Sequence, residues 1–280
     1  MTGMADTKYQ PNDRTPCAGR PRLDESTLPW SGIARLVLHH EDGEASGSCI
    51  DVSTLPTDAL SVEQMELFRS WLSDHETIRA ERFLHAEDRR DFVAAHALLR
   101  FQLRHHFPEL PFPARIAADG QGGKPHLLAA HNSDGTAIDF NISHTRGMVA
   151  CVTASDHDDG IDCEPLARMV DAGLAEVCFS ELECHWLTTQ GCLTPPSAFL
   201  HLWTLKEAVT KALGTGLAID LKTFSVLPFP PRITETSPEI GEHRRWSFRQ
   251  WVSKDGFIVA MAARNKNGRP NIETRGPEPV

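Results

Sequence analysis

The stretch GIDCEP at residues 160–165 constrains this chain more than any other. It reads as a β-strand, and on a strand residues i and i+2 share a face. Asp162 and Glu164 therefore stand side by side, with Cys163 turned the other way. Two neighbouring carboxylates repel each other unless a cation or a proton lies between them. A third carboxylate, Glu207, sits in LWTLKEAVTKALG at 202–214, where helical spacing aligns Trp203, Glu207 and Lys211 on one stripe. If that stripe packs on the strand, three carboxylates and an ammonium converge. Oxygen ligands of this kind suit magnesium, which completes its octahedron with water and substrate phosphates. Neither element is decisive alone: a D-x-E pair on a strand is commonly a solvated face, and Glu207–Lys211 is also a favourable surface pair.

The rest of the chain supplies a frame for these two elements. Ser61 with Gln64, Ser73 with Glu76 and Ser180 with Glu183 are capping boxes that start helices. A long helix is expected from Glu87 to Phe107, with Phe92, Ala95, Leu99 and Leu103 at helical spacing and Pro108 ending it. A second runs from Pro196 to Leu213 and stops at Gly214. Strands are expected at 34–39, 115–118, 126–128, 138–143, 147–154, 160–165, 224–229, 246–252 and 257–263. Helices grouped against meandering strands make an α+β fold. The coarse order of the first half returns in the second without visible sequence identity. The division expected is a flexible tail over 1–30, an N-terminal half over 31–157, a C-terminal half carrying the carboxylates over 158–264, and a tail over 265–280.

Composition narrows the partners. A formal net charge of -10 argues against broad nucleic-acid binding, although Arg79, Arg82, Arg89, Arg90, Arg100 and Arg104 crowd one region. The seven cysteines are odd in number and form no C-x-x-C pair, as expected of reduced thiols rather than a disulfide frame or zinc site. The first residues, MTGMADTKYQPNDR, lack the apolar core of a signal peptide, and no apolar run approaches the ~20 residues of a membrane span. A cytoplasmic protein with no membrane partner is expected.

Six blocks, in order, resemble the 4'-phosphopantetheinyl transferases of the surfactin-synthetase-activator type. GIDCE at 160–164 and WTLKEAVTKALGTGL at 203–217 look like the two signature blocks of that family, roughly forty residues apart as there. GKPHL (123–127), FNISHT (140–145), RFLHAEDRRDFVAAHALLR (82–100) and FSELE (179–183) resemble four more. The likeness covers residues 78–228, with Thr145 where serine is more usual and Asp91 where a basic residue is more usual.

The resemblance implies two similar α/β halves packed as a pseudo-dimer, with coenzyme A bound between them and the chain working as a monomer. It implies magnesium held by Asp162, Glu164 and Glu207 against the coenzyme A diphosphate, with Lys211 on the diphosphate and Lys206 beside it. Glu207, or a bound water, is the candidate base for the serine hydroxyl of an acyl or peptidyl carrier protein. Lys124, Ser143 and His144 match positions that bind the 3'-phosphoadenosine part, and Arg82 and Arg90 stand in for the displaced basic residue. Read without the resemblance, Ser143 and His144 are ordinary turn residues, Lys124 is a solvated turn lysine, and Trp203 belongs to a core. Two other functions use the same residues: a magnesium-dependent phosphatase or nucleotidyl hydrolase, and a non-catalytic carrier-binding protein.

Overall fold

The computed structural model describes residues 34–38, 48–106, 112–118, 124–127, 138–171, 173–191 and 193–266. The expected N-terminal tail, the glycine turn before Lys124, Pro108 and residues 267–280 of the expected C-terminal tail lie outside the described residues.

In chain order the first half contains β1 (Ala34–Leu38), β2 (Ser48–Pro56), α1 (Val62–Arg69), α2 (Asp74–Glu81), α3 (Ala86–His106), β3 (Ile116–Ala118), β4 (Pro125–Leu127), β5 (Ile138–Thr145) and β6 (Met148–Ser155). The second contains β7 (His157–Pro165), α4 (Leu174–Cys178), α5 (Glu181–Thr189), α6 (Pro195–Leu213), β8 (Ser225–Pro228), β9 (Pro231–Glu235), β10 (Trp246–Val252) and β11 (Phe257–Asn265). The three capping boxes form as expected, each serine accepting the N3 backbone N–H while the N3 Gln or Glu reaches back. Helix α6 opens on Thr194 with prolines in its first turn and closes on Gly214 in the left-handed conformation. Strands β2 and β9 and the single-turn helix α4 were not expected. In β2, Asp51 and Ser53 interrupt the apolar pattern, yet both are buried.

The halves repeat one plan. Their sheets are antiparallel, ordered β1-β2-β6-β5 and β10-β11-β7. Strand for strand, β2-β6-β5 corresponds to β7-β11-β10, with α3 corresponding to α6 and the hairpin β3–β4 to β8–β9. A buried ion pair repeats as well. Glu76, at N3 of α2, meets Arg100 of α3 at 2.5 Å; Glu183, at N3 of α5, meets Lys206 of α6 at 3.0 Å. Each pair ties a short capped helix to the long helix of its own half.

Three apolar clusters hold the molecule. One lies under α3 and contains Phe92, Leu99, Leu103, Phe140 and Val149. One lies under α6 and contains Phe199, Leu202, Val209, Ile258 and Ala260. The third joins the halves: Ile50 and Val52 of β2 and Met148, Ala150 and Val152 of β6 meet Ile161 and Cys163 of β7 and Val259 and Met261 of β11. Strand β6 therefore has apolar partners on both faces, which is why 148–154 reads as a nearly unbroken apolar run. Burying each large aliphatic side chain in the third cluster contributes about 1.5–3 kcal/mol, so the halves are bound as one body. No helix among the described residues is long and apolar enough to cross a membrane.

Helix α6 lies unusually close to β7. A side chain at Gly160 would overlap the Ala208 carbonyl and the Ala212 amide, so backbone meets backbone there. Neither obstacle is a side chain that can swing aside. Gly160→Ala should therefore cost about 1–3 kcal/mol in urea unfolding, the usual range for overpacking. It should also reduce turnover well beyond the loss of folded protein, because α6 must lift from the strand. A variant as stable and active as the parent would show that this contact is not tight.

Candidate active site

The close approach at Gly160 determines what meets around it. On β7 the face that carries Gly160 also carries Asp162 and Glu164. On α6, Ala208 and Ala212 sit over the glycine, and the residue before each is Glu207 and Lys211. Lys211 Nζ lies 2.6 Å from Asp162 Oδ1 and 2.9 Å from Ser143 Oγ, and Ser143 donates to the same Asp162 oxygen at 3.1 Å. The other oxygen of Asp162 is buried and has no hydrogen-bond partner among the described residues. Glu164 is ion-paired with Arg168 and accepts from the Trp203 indole.

Electrostatics marks this corner as short of positive charge. Burial and then the Asp162 charge push Glu164 and Glu207 above the ordinary carboxylate range, with Lys211 and Arg168 opposing. Burial works against the Lys211 ammonium, but Asp162 outweighs it and the group is held more firmly protonated than usual. Among the described residues, no three His, Cys, Asp or Glu side chains stand in a closed metal-ligand arrangement. The donor set nevertheless fits a hard divalent cation. All donors are oxygens, one buried Asp162 oxygen is unsatisfied among the described residues, and burial and the Asp162 charge hold the two neighbouring carboxyls high.

The N-terminal half reaches this corner through β5. Its alternate residues Asp139, Asn141 and Ser143 face the edge of β7, where side chains take the place of a backbone ladder. The Asp159 N–H donates to Asp139 Oδ2 at 3.0 Å, and the Ile161 N–H donates to Asn141 Oδ1 at 3.1 Å. Sequence reasoning gave Asn141 no role. The alternation Asp-x-Asn-x-Ser over 139–143 was the available signal, since three short polar side chains on one strand face can satisfy a neighbouring strand's amides. Lys124 closes the seam, paired with Asp139 and donating to the carbonyls of Asp159 at 2.8 Å and Ala212 at 3.4 Å. Asp159 is wholly buried, and its carboxyl oxygens meet no donor. Burial, then the Asp139 charge, hold that carboxyl well above the usual range, and Lys124 only partly offsets them.

The remaining expected residues divide. His144 follows Ser143 at the end of β5 and is exposed. The surrounding protein lowers its pKa, as do Lys211, His96 and Arg79, whereas Asp91 raises it. Arg79, named from the sequence only as one of the crowded arginines, is thus the arginine of α2 that belongs to this group; it also stacks over Phe92 at 5.2 Å. Arg82, expected at the nucleotide phosphate, is an exposed residue capping the end of α2. Arg90, given the same role, is instead committed to Asp58, with Asp91 3.7 Å away. Lys206 is a correction. It was expected beside the diphosphate, but its ammonium is fully buried on the far side of α6 from Lys211. There it bonds Glu183 and the carbonyls of Leu221 at 2.5 Å and Phe224 at 2.7 Å. Helical geometry explains this: residues 206 and 211 are five apart and so point in different directions. Trp203 is both partly buried core and a donor to Glu164.

Comparison with known proteins agrees with this geometry. A family model described as the 4'-phosphopantetheinyl transferase superfamily matches residues 160–262, and one described as 4'-phosphopantetheinyl transferase, N-terminal, matches 60–157. The 4'-phosphopantetheinyl transferase ffp of Bacillus subtilis is 30% identical over 209 residues, covering 73% of this chain and 87% of that protein. The 4'-phosphopantetheinyl transferase HetI of Nostoc sp. is 29% identical over 211 residues, covering 75% and 85%. The 4'-phosphopantetheinyl transferase Sfp of Bacillus subtilis strain 168 is 30% identical over 169 residues, covering 60% and 71%.

Asp159 yields a pH prediction. An acid whose folded pKa is raised keeps its proton in the native state after the unfolded chain has lost it. Its effect is therefore a loss of stability as pH rises from the ordinary carboxylate value of about 4 towards the raised value, by up to about 1.4 kcal/mol per pH unit. Asp159→Asn imitates the protonated acid without the titration. Melting curves of parent and variant should lie close near pH 4, and the variant's advantage should widen towards neutral pH. Curves that stay parallel would contradict the buried-acid assignment.

Proposed function

The chain belongs to the 4'-phosphopantetheinyl transferases of the Sfp type, and on that basis we propose how its residues divide the work. The reaction moves the 4'-phosphopantetheine group of coenzyme A onto a serine of an apo carrier protein. The serine oxygen bonds to the β-phosphorus, the bond to the bridging diphosphate oxygen breaks, and 3',5'-ADP leaves. The observation that carries the residue assignment is the meeting of Asp162, Glu164, Glu207 and Lys211 where α6 crosses β7.

In this reading Asp162, Glu164 and Glu207 would hold a magnesium ion. When bound, it supplies positive charge against the diphosphate and the leaving group. Lys211 turns from Asp162 to the diphosphate and stabilises the charge that grows on the departing oxygen. Ser143, which already donates within this group, stays within reach of the same phosphates. Glu207, or a water that it orients, takes the proton from the carrier's serine; its raised pKa suits a base that works near neutral pH. His144 and Arg79 offer donors to the 3'-phosphate, and Lys124 and the exposed Arg82 stand at the margins of that subsite. Lys206 takes no part beyond holding α5 to α6.

Two features support the partner assignments. Both halves contribute to one site within a single chain, Ser143 from β5 and Asp162 from β7, so a monomer is sufficient. The exposed Arg79, Arg82 and Arg104 offer positive charge to a carrier protein of acidic type, despite the net charge of -10. The carrier belongs to fatty acid, polyketide or nonribosomal peptide synthesis, and the protein works in the cytoplasm. Nothing in the relatives favours a phosphatase, a nucleotidyl hydrolase or a non-catalytic binder.

The test is mass spectrometry of several apo carriers incubated with coenzyme A and magnesium. The modified carrier should gain about 340 Da, the mass of the transferred group. Glu207→Ala should lower the rate by roughly 10²–10³ while leaving the melting curve near that of the parent. Full activity in that variant would remove Glu207 from the mechanism, and nucleotide hydrolysis without a mass gain would overturn the transferase reading.

A further inference from the structure

Asp91 stands where the family resemblance leads one to expect a basic residue, close to the 3'-phosphoadenosine subsite. A bare carboxylate there would repel phosphate. This carboxylate is not bare: it is only 2% exposed and belongs to a knot of three elements. The Thr57 hydroxyl, just past β2, donates to one of its oxygens, and the Gly147 N–H in the β5–β6 turn donates to the other at 3.3 Å. The Thr57 N–H in turn donates to the Gly147 carbonyl at 2.9 Å. One helical turn earlier, Asp88 lies 3.6 Å from Arg146 of the same β5–β6 turn. Gly147 itself has a φ of +90° and passes so near Asp58 that an added side chain would meet its carboxylate at 2.9 Å. The turn that follows Ser143 and His144 is thus anchored to α3 from behind.

We infer that Asp91 is a positioning residue for coenzyme A binding, one that holds the β5–β6 turn so that His144 faces the phosphate and that supplies the negative charge behind His144 when it becomes a cation. The inference rests on the transferase reading above. The charged and titratable groups facing His144 are Asp91 and His96 from α3, Arg79 from α2 and Lys211 from α6. Asp91 is the one anion among them. His96 is paired with Glu76 and Lys211 with Asp162, so Asp91 is the anion left for His144, which without it would carry its proton less readily. The departure of Asp91 from the family pattern is then a change of duty: the residue acts through the turn and does not touch the ligand, while Arg79 supplies the cation.

The test compares Asp91→Ala and Asp91→Asn with the parent in the carrier assay and in an NMR titration of histidine. Asp91→Ala should raise the KM for coenzyme A by about tenfold, the scale of one lost positioning hydrogen bond. Its kcat and its KM for the carrier should stay within about twofold of the parent, since Lys211 and the carboxylates are untouched. Asp91→Asn keeps one acceptor oxygen and should recover most of that affinity. In both variants the His144 titration midpoint should fall. If Asp91→Ala folds and its KM for coenzyme A is unmoved, the inference is wrong even with a fully active parent. If Asp91→Ala does not fold, Asp91→Asn decides: an unchanged His144 midpoint overturns the inference. A parent chain that modifies no carrier overturns the transferase reading and this inference with it.

Discussion

Backbone contact between α6 and β7 at Gly160 is the constraint from which the site follows. Glycine permits the helix to lie directly on the strand, and Glu207 and Lys211 then stand within one side-chain length of Asp162. A methyl group would lift the helix, and the contacts of Lys211 with Asp162 at 2.6 Å and Ser143 at 2.9 Å would be lost. The helix can sit this close because its other sides are buried in the apolar cluster under it, with Leu202, Leu205 and Val209 fully covered. The strain of the arrangement is electrostatic rather than steric. Burial and the Asp162 charge raise Glu164 and Glu207, and Lys211 and Arg168 only partly offset three acids. A site built this way gains most from a ligand that brings a divalent cation, which is a physical reason for affinity to rise when metal and diphosphate arrive together.

A second constraint is the repeat of one plan in two halves. In each, the N3 glutamate of a capped helix is bound by a basic residue of the long helix, Glu76 by Arg100 and Glu183 by Lys206. Removing one partner of such a pair leaves a buried charge and costs about 3–5 kcal/mol. The pairs therefore fix how the short helices sit on α3 and α6, and hence the tilt of α6 over β7. The halves are joined differently. The apolar cluster of β2, β6, β7 and β11 supplies adhesion, while Asp139 and Asn141 supply register by bonding the amides of β7. Only one side of this junction carries the carboxylates, so two similar halves make one site.

Local chemistry was readable from the sequence, and tertiary choice was not. Three capping boxes, the stop at Gly214 and the alternation around Asp162 and Glu164 depend on neighbours a few residues away, and each formed as expected. Strand β2 was hidden because Asp51 and Ser53 break the apolar pattern while being buried; Gln102 of α3 bonds the Asp51 carbonyl from across the core. Helical spacing put Lys211 on the stripe of Glu207, but that Lys206 belongs to a buried pair was not legible; Glu183 claims Lys206 and Asp162 claims Lys211. The same holds for arginines: Arg90 is claimed by Asp58, whereas Arg79 joins the group around His144. Which cation is already committed inside the fold is a property of partners 23 to 49 residues away, and no local pattern carries it.

We propose that Asp162, Glu164, Glu207 and Lys211 form one divalent-cation site facing the coenzyme A diphosphate. Manganese in place of magnesium makes that claim visible by electron paramagnetic resonance. One tightly bound ion per chain is expected in the presence of coenzyme A, with coupling to phosphorus nuclei, and Asp162→Asn should abolish it. An ion that binds equally well to Asp162→Asn, or that shows no phosphorus coupling, would contradict the account.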